Sequence, residues 1–255
     1  MSKFNKEKLT KEIKFFIKRY LKNFDYVYLT SDLRGFIYYY NISPDLICRI
    51  LFSQLLKEKK TIVVPAFSFV NKGIFNIKKT KSNLGFLTKW ALKNLKYRRS
   101  EHPVFSVIAV GKDKQIVEKI GKSAFGYESI FYRLYNNKTS LLHFGRPFNL
   151  GNTVIHFVEQ ITGAFYRENK LIQTRVYSGR KYIGGNYSIF ARKGKIHSSK
   201  YISNTKKIDK YIKKNNLITQ IGNEKYLTNI SHLNMRDCVD FMCKKYYHDN
   251  KIFIN

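Results

Sequence analysis

Apolar residues near the amino terminus recur at steps of three and four, in a segment otherwise rich in lysine: Leu9, Ile13, Phe16, Ile17, Tyr20 and Leu21. This spacing predicts a helix with one apolar face directed at a core and a solvated, basic outer face. Short apolar runs follow at 26–29 and 61–65, with a second helical pattern over 45–56 between them. Helices that alternate with short apolar strands predict an α/β fold built on a layered sheet.

The middle of the chain has a less regular pattern. Residues 71–96 contain Gly73, Gly85 and many lysines, and they predict a loop and a short helix over the sheet that could form part of a substrate mouth. Apolar runs at 105–110 and 140–145 predict two further strands, with a polar helix near residues 113–120 after the first of them.

The carboxyl-terminal part predicts strands at 171–177 and 187–191, separated by glycines. They suggest a hairpin or an antiparallel addition to the sheet, which makes the sheet mixed. Behind a plausible helix cap at Asn234, apolar residues share one helical face: Met235, Cys238, Val239, Met242 and Tyr246. Since no linker, repeat or low-complexity tract interrupts the pattern, we expect a single domain over residues 1–255.

The composition adds a strong positive charge. The chain has 48 Lys and Arg against 17 Asp and Glu among 255 residues, a formal net charge of +31. Such a charge reflects either a general preference for lysine on solvated faces or attraction to anionic ligands such as CoA. Nucleic acid is a third reading, but no zinc-finger, RNP or helix-turn-helix signature accompanies the dispersed lysines.

The three cysteines, Cys48, Cys238 and Cys243, lack metal-ligand or CxxC spacing, and an odd number is not a disulfide framework. We therefore expect a reducing, cytoplasmic location, with Cys48 a buried hydrophobe in its apolar run. No apolar run approaches the roughly 20 residues that span a bilayer, although the basic surface could touch an anionic membrane.

The stretch from 98 to 160 carries the most specific pattern. It contains Arg98, Arg99, Ser100, Glu101, His102 and Pro103, then the strand 105–111, then Phe125-Gly126 and Ser129, and finally Asn152-Thr153-Val154-Ile155-His156-Phe157-Val158-Glu159. This order resembles the antibiotic N-acetyltransferase family, whose best-known members are the aminoglycoside 3-N-acetyltransferases. The resemblance implies an α/β fold with a layered mixed sheet and helices on both faces, and an acyl-CoA-dependent N-acyltransferase that moves acetyl from acetyl-CoA to an amine.

His156 is the candidate base. Asn152 or Thr153 can cap a helix, so His156 lies in its first turn or just after it, with Glu159 on nearly the same face. The partial positive charge of a helix start disfavours imidazolium and leaves a neutral ring. Taken alone, a His and a Glu three apart are more often a surface pair or a satisfied core group. The family resemblance implies instead that His156 is the catalytic base and that Glu159 stands close to the acceptor amine.

The sequence leaves open which acid orients the base. Many members of the family have an Asp shortly before the Thr, where this chain has Leu150 and Gly151. Asn152 or a carboxylate from elsewhere must then take that role. Glu128, in the loop before Ser129 where many relatives have Gly, is one candidate, and a solvated loop acid is the alternative interpretation.

Two segments predict the binding of acetyl-CoA. The turn at 30–35 resembles the family's His-x-Ser element. A turn that leads into a helix offers backbone N–H groups to phosphates, and an arginine beside it adds a forked donor. The candidate CoA-binding residues of this turn are Ser31, Arg34 and Gly35. The resemblance implies that the second segment bonds the pantetheine arm through a strand edge, with donors near Ser106 for the thioester oxygen; its candidates are Arg99, Ser100, His102, Ser106, Val107 and Ile108.

The remaining histidines predict no further chemistry. His143 lies inside an apolar strand and is interpreted as core or as site lining. His197, His232 and His248 lack metal-ligand spacing, so no metal is predicted.

The function predicted is direct acetyl transfer in a ternary complex, with His156 as general base. Because a chain of +31 repels polycations, we expect a phosphorylated or nucleotide-linked amino sugar for surface polysaccharide as the acceptor. The alternatives are an aminoglycoside 3-N-acetyltransferase of antibiotic resistance, and a non-catalytic protein of the same fold that binds nucleic acid or anionic membrane.

Overall fold

The computed structural model describes residues 3–150, 152–194 and 203–255; Gly151 and His197 lie outside them. The helices are α1 Lys3–Tyr20, α2 Arg34–Tyr40, α3 Pro44–Lys57, α4 Phe86–Asn94, α5 Ile130–Tyr135, α6 Val154–Ile161, α7 Lys206–Lys214 and α8 Met235–His248. The strands are β1 Tyr26–Ser31, β2 Thr61–Pro65, β3 Lys72–Asn76, β4 Arg98–Arg99, β5 Val107–Val110, β6 Thr139–Phe144, β7 Arg167–Ser178, β8 Lys181–Gly184, β9 Tyr187–Arg192, β10 Thr219–Ile221 and β11 Ile230–Asn234.

A mixed seven-stranded sheet forms the centre of the fold, in the order β10-β11-β6-β1-β2-β5-β4. The three central strands β6, β1 and β2 run parallel. The flanking strands pair antiparallel on both sides. The central strands are buried along nearly their whole length because both faces of the sheet are covered.

Each face of the sheet has its own apolar core, since successive side chains of a strand point to opposite faces. Val27 and Leu29 of β1 pack with the apolar faces of α1, α2, α3 and α4. Tyr28 of the same strand packs on the other side with α5, α6, α7 and α8. The predicted layered mixed sheet with helices on both faces is thus confirmed.

A smaller second sheet contains β3, β7, β8 and β9. The strands predicted at 171–177 and 187–191 pair antiparallel, but they belong to this separate sheet instead of extending the central one. Strand β3 was not predicted, because residues 71–96 lack a strand pattern; it pairs parallel with β7. β3 forms because β7, a strand distant in the sequence, supplies its hydrogen-bond partners, and the local sequence pattern does not indicate this pairing.

Other elements differ in detail from the sequence prediction. The polar helix predicted near 113–120 is a single 3₁₀ turn, Lys114–Val117. Short elements such as α5 and α7 were not predicted. The cap predicted at Asn234 is confirmed, since its side chain accepts a hydrogen bond from the Arg236 N–H at 3.0 Å.

The topology creates a crevice beside β1. The chain passes from β1 through α2 and α3 to β2 on one side, whereas β6 lies on the other side of β1. The carboxyl ends of β1, β2 and β6 therefore meet at a point where the strand order reverses, which is where open α/β sheets bind ligands.

Candidate active site

A cleft of about 840 Å³ opens at the carboxyl ends of the central strands, a size typical of sites for small molecules and cofactors. Its walls come from residues 29–34 at the end of β1, from 64–67 at the end of β2, from 84–88 at the start of α4, and from the segment between β6 and α6. His156, Ser31 and Arg34 all line it. The base and part of the donor side predicted from distant sequence segments thus share one cavity.

His156 lies in the first turn of α6. The Asn152 side chain accepts a hydrogen bond from the Val154 N–H at 3.1 Å, while Thr153 makes no side-chain cap. The His156 side chain is 32% exposed and faces the edge of Phe125, with ring centres 5.5 Å apart. The ring is consequently fixed on one side and open to the cleft on the other.

Glu159 holds the inner edge of the His156 ring. Its Oε2 lies 2.7 Å from His156 Nδ1 and 2.7 Å from Arg167 Nη2. Its Oε1 accepts a hydrogen bond from the Tyr166 hydroxyl at 2.9 Å. With a side chain only 1% exposed, this carboxylate uses its acceptor sites on neighbours inside the protein.

The contacts of Glu159 determine its charge and the tautomer of His156. Burial raises the pKa of the carboxyl, but the hydrogen bond and charge of His156 and the charge of Arg167 outweigh it, so the net pKa lies below the ordinary value. An ionised carboxylate only accepts, so its 2.7 Å contact favours the imidazole tautomer with the proton on Nδ1, while Arg167 Nη2, 3.0 Å from the same nitrogen, donates to the carboxylate at 2.7 Å. In the neutral ring, Nε2 then carries the lone pair that a general base requires.

Arg167 completes the cluster, and sequence reasoning missed it. It is the first residue of β7, and its Nη1 donates to the Phe190 carbonyl at 2.9 Å in the neighbouring strand. Its Nη2 lies 3.0 Å from His156 Nδ1 and donates to the Glu159 carboxylate. No local signal distinguishes this residue among the 48 Lys and Arg of the chain.

Glu128 does not approach His156 among the contacts of the described residues. It lies in an exposed loop with φ of 63°, a left-handed conformation that glycine adopts without strain. The acid in contact with the imidazole is Glu159 instead. Leu150, which stands where many family members have an Asp, is exposed in the segment between β6 and α6.

Three donor-side candidates lie at the end of β1 or just after it, and Ser31 and Arg34 line the cleft. Arg34 is 80% exposed and forms an ion pair with Asp32 at 2.5 Å. The hydrogen bonds from Arg34, which outweigh partial burial, hold the pKa of Asp32 below its usual range. Gly35 does not line the cleft; a Cβ there would lie 2.1 Å from the Tyr226 carbonyl oxygen, so close backbone packing requires glycine.

The second set of donor-side candidates is buried away from the cleft. The Arg99 guanidinium donates to the Ala66 carbonyl at 2.8 Å and to Ser106 Oγ at 3.1 Å. The Ser106 hydroxyl donates to the same carbonyl at 2.8 Å, so its proton is already used within the fold. Ser100 Oγ accepts from the Val107 N–H at 2.9 Å.

Strand β5, which contains Val107 and Ile108, is not an open edge. It pairs with β2 on one side and with β4 on the other, so its backbone groups already have partners. His102 is also bonded within the fold: Nδ1 accepts from the Phe105 N–H at 3.1 Å, and Nε2 donates to the Ser188 carbonyl at 3.1 Å. Burial lowers the pKa of His102 to about 4.

His143 is buried below the cleft, in contact with Thr30 Oγ1 at 2.9 Å. Burial lowers its pKa to about 3, which fits its interpretation as a core residue. Among residues 3–150, 152–194 and 203–255, no group of three His, Cys, Asp or Glu could hold a metal ion. Within the same residues, no helix combines the length and the apolar character that crossing a bilayer demands.

Comparison with known proteins identifies the family. Residues 40–246 match the model of the aminoglycoside 3-N-acetyltransferases, whereas no curated protein matches the chain. Among solved structures, the aminoglycoside acetyltransferase AAC(3)-IVa is similar, with 16% identity, a TM-score of 0.70, and coverage of 96% of this chain and 90% of that chain. The YokD protein from Bacillus subtilis has 16% identity and a TM-score of 0.69 over 96% and 94% of the two chains.

A third similar structure is sisomicin-bound AAC-VIa, with 14% identity, a TM-score of 0.75, and coverage of 95% and 97%. These likenesses confirm the fold, and the family model covers most of the chain and confirms the resemblance seen in residues 98–160. The chain therefore belongs to the antibiotic N-acetyltransferase family, and it is an acyl-CoA-dependent N-acyltransferase.

Proposed function

We propose that the protein acetylates an amino group of a sugar by direct transfer from acetyl-CoA, with His156 as general base. The observation that carries this proposal is the contact of 2.7 Å between His156 Nδ1 and the buried Glu159 carboxylate, at the wall of the cleft. This contact leaves Nε2 as the basic nitrogen on the other edge of the ring. A neutral imidazole that faces a cavity suits proton abstraction from an amine.

In this proposal His156 transfers the proton, and Glu159 orients and stabilises the His156 ring. When bound, acetyl-CoA supplies the thioester carbonyl that the acceptor amine attacks. Nε2 of His156 takes the proton that the amine loses, and the same proton then neutralises the departing thiolate. The Glu159 carboxylate stabilises the transient imidazolium and keeps the ring in one orientation, because Arg167 and Tyr166 fix the carboxylate itself.

The donor side of the proposal rests on Ser31 and Arg34, which line the cleft with His156. Their position at the end of β1 offers a hydroxyl and a guanidinium to phosphate groups. Arg99, Ser100, His102, Ser106, Val107 and Ile108 contribute instead to the buried framework around that wall.

For the acceptor we propose an amino sugar with a phosphate or nucleotide, of the kind used in surface polysaccharide. Asp32 is the single carboxylate among the described residues that line the cleft, and Arg34 already neutralises it. Two arginines, Arg34 and Arg146, line the same cavity. Together with the net charge of +31, this lining favours anionic over polycationic acceptors.

An aminoglycoside is the second candidate acceptor. The family model and the sisomicin bound to AAC-VIa favour it. Aminoglycosides carry several ammonium groups, and their binding calls for carboxylates in the acceptor site. The two candidates therefore differ in the sign of charge that the cleft must accommodate.

Thiol release from acetyl-CoA tests both parts of the proposal. We expect His156→Ala to lower kcat by roughly two to four orders of magnitude, whereas His248→Ala, a matched exposed histidine at the end of α8, retains activity. Turnover within a few-fold of wild type in His156→Ala would refute the assignment. Comparison of sisomicin with nucleotide-linked amino sugars decides the acceptor, since higher kcat/KM for sisomicin would overturn the anionic choice.

The alternative of a non-catalytic basic binder predicts a different behaviour. Thermal stabilisation by CoA at ordinary ionic strength supports the acyltransferase. Salt-sensitive binding to an oligonucleotide, without stabilisation by CoA, would support the binder.

A further inference from the structure

Arg146 lies in the acyl-transfer cleft, between the end of β6 and the start of α6. It lines the same cavity as His156 and Arg34. No motif in the sequence marks it among the 48 Lys and Arg of the chain. Its position follows from Gly145, which has φ of 67° and approaches the Asp32 carbonyl so closely that a Cβ would lie 2.1 Å from that oxygen.

The backbone and side chain of Arg146 are both held in place. The Gly145 N–H donates to the Asn229 carbonyl at 2.7 Å, and the Asn229 side-chain amide donates to the Arg146 carbonyl at 3.3 Å. Nε of Arg146 donates to the Leu150 carbonyl at 2.5 Å. Because Nε is used in this way, the two terminal amino groups of the guanidinium remain for other partners.

Arg146 has no carboxylate partner among the ion pairs of the described residues. Asp32, the acid that shares its cavity, is bound by Arg34 at 2.5 Å. Burial lowers the pKa of Arg146, and the negative charge of Asp32, which Arg34 already binds, opposes this only in part. A partly buried guanidinium without a counter-ion is costly for a fold, so its presence in a ligand-sized cavity indicates that a ligand supplies the missing charge.

We propose that Arg146 is an anion-binding residue of the active-site cleft, which takes a phosphate group of a bound substrate. The proposal rests on the acyl-transfer function proposed above and names the residue that recognises charge there. A planar guanidinium with two free amino groups matches two oxygens of a phosphate. The phosphate can belong to CoA or to the acceptor sugar, and the experiment below separates these sources.

The proposal also predicts how the cleft responds to a polycation. Ammonium groups near a fixed guanidinium are repelled, and the repulsion is strongest where water is excluded. Removal of the Arg146 charge should therefore leave the affinity for sisomicin unchanged or raise it, while affinity for a phosphate-bearing ligand falls. A loss of sisomicin affinity equal to the loss for phosphate ligands would overturn the proposal.

Binding measurements on Arg146→Met test the inference. The probes are CoA for the donor, and glucosamine 6-phosphate beside glucosamine for the acceptor, with dissociation constants from calorimetry. Loss of a charge-assisted hydrogen bond predicts a weakening of about 10- to 100-fold. If only the affinity for CoA falls, Arg146 binds a phosphate of the donor. If only the affinity for glucosamine 6-phosphate falls relative to that for glucosamine, Arg146 binds the phosphate of the acceptor. Both affinities within twofold of wild type would refute the proposal.

Four further variants accompany the test. Arg146→Lys keeps a point charge and should recover part of the phosphate affinity. Arg49→Met removes an equal charge at an exposed pair with Asp45 and should leave both affinities unchanged. Arg146→Gln retains a donor for the Leu150 carbonyl and replaces the Met variant if that variant does not fold. Turnover of His156→Ala tests the base and the affinities of Arg146→Met test the anion site, so failure of the base assignment and failure of the anion site give different results.

Discussion

Replacement of Glu159 by Gln tests the proposed active site most directly, because it keeps the side-chain volume and removes one charge. In the native protein, one oxygen serves both Arg167 and His156 at 2.7 Å, and the other accepts from the Tyr166 hydroxyl at 2.9 Å. An amide has a single acceptor oxygen, so it cannot satisfy both sides. The Arg167 side chain, only 6% exposed, then keeps a positive charge without a carboxylate.

The magnitude follows from these contacts. Removing one partner of a buried ion pair costs about 3–5 kcal/mol, and we expect Glu159→Gln at the lower end because the amide oxygen still accepts one hydrogen bond. Without the carboxylate, nothing favours the proton on Nδ1 of His156, and the imidazolium loses its stabilising charge. We expect kcat to fall about 10²- to 10⁴-fold.

The assay combines urea unfolding with thiol-release kinetics on three variants. In Glu159→Gln with Arg167→Met, the uncompensated charge is gone, so stability recovers in part while kcat stays low. Glu168→Gln, which breaks an exposed pair with Lys170, is the matched control and should change both quantities little. A kcat within a few-fold of wild type for Glu159→Gln, or recovery of activity in the double variant, would refute the positioning role.

Three further predictions concern the framework around the cleft. Burial lowers the pKa of His102 to about 4 and that of His143 to about 3. As pH drops from about 6.5 toward 4, the unfolded chain therefore takes up protons before the folded one does. The free energy of unfolding should fall over this range, by at most about 1.4 kcal/mol per pH unit for each histidine. Urea midpoints across this range check it, and a flat profile contradicts it. Arg99→Met should destabilise the protein by about 2–4 kcal/mol, because buried carbonyls lose their donors, with the KM for acetyl-CoA unchanged; a selective rise in that KM would restore Arg99 to the donor site. Gly35→Ala should cost at least about 1–3 kcal/mol, since the new Cβ meets the Tyr226 and Leu227 carbonyl oxygens at 2.1 and 2.4 Å; a melting temperature equal to wild type would exclude this close packing.

The placement of His156 could be predicted because it depends on local sequence. A capping Asn152, an uninterrupted apolar helix pattern and a Glu three residues on are all visible within a few positions. Arg167 and Tyr166 could not be predicted in the same way. They reach Glu159 through the turn after α6 and the pairing of β7 with β9, and neither feature marks them in the sequence.

The surroundings of the predicted donor-side strand β5 could not be predicted from its own residues. The apolar run at 105–110 predicts a strand correctly, but the run alone does not say which strands lie beside it. Pairing with both β2 and β4 leaves β5 without a free edge. Strand pairing depends on the register between distant segments, so the number of neighbours is not a property of the run.

The sequence by itself determined the alternation of helices and strands, the family, and His156 at the start of a helix, because periodicity and capping act over a few residues. Tertiary structure alone decided which charged residues are buried and which face the cleft. Arg99 is enclosed by carbonyls from other segments, while Arg146 is held at the cavity wall by Asn229. Burial and hydrogen-bond partners come from residues far apart in the chain, so the same side chain supports the fold at one position and meets a ligand at another.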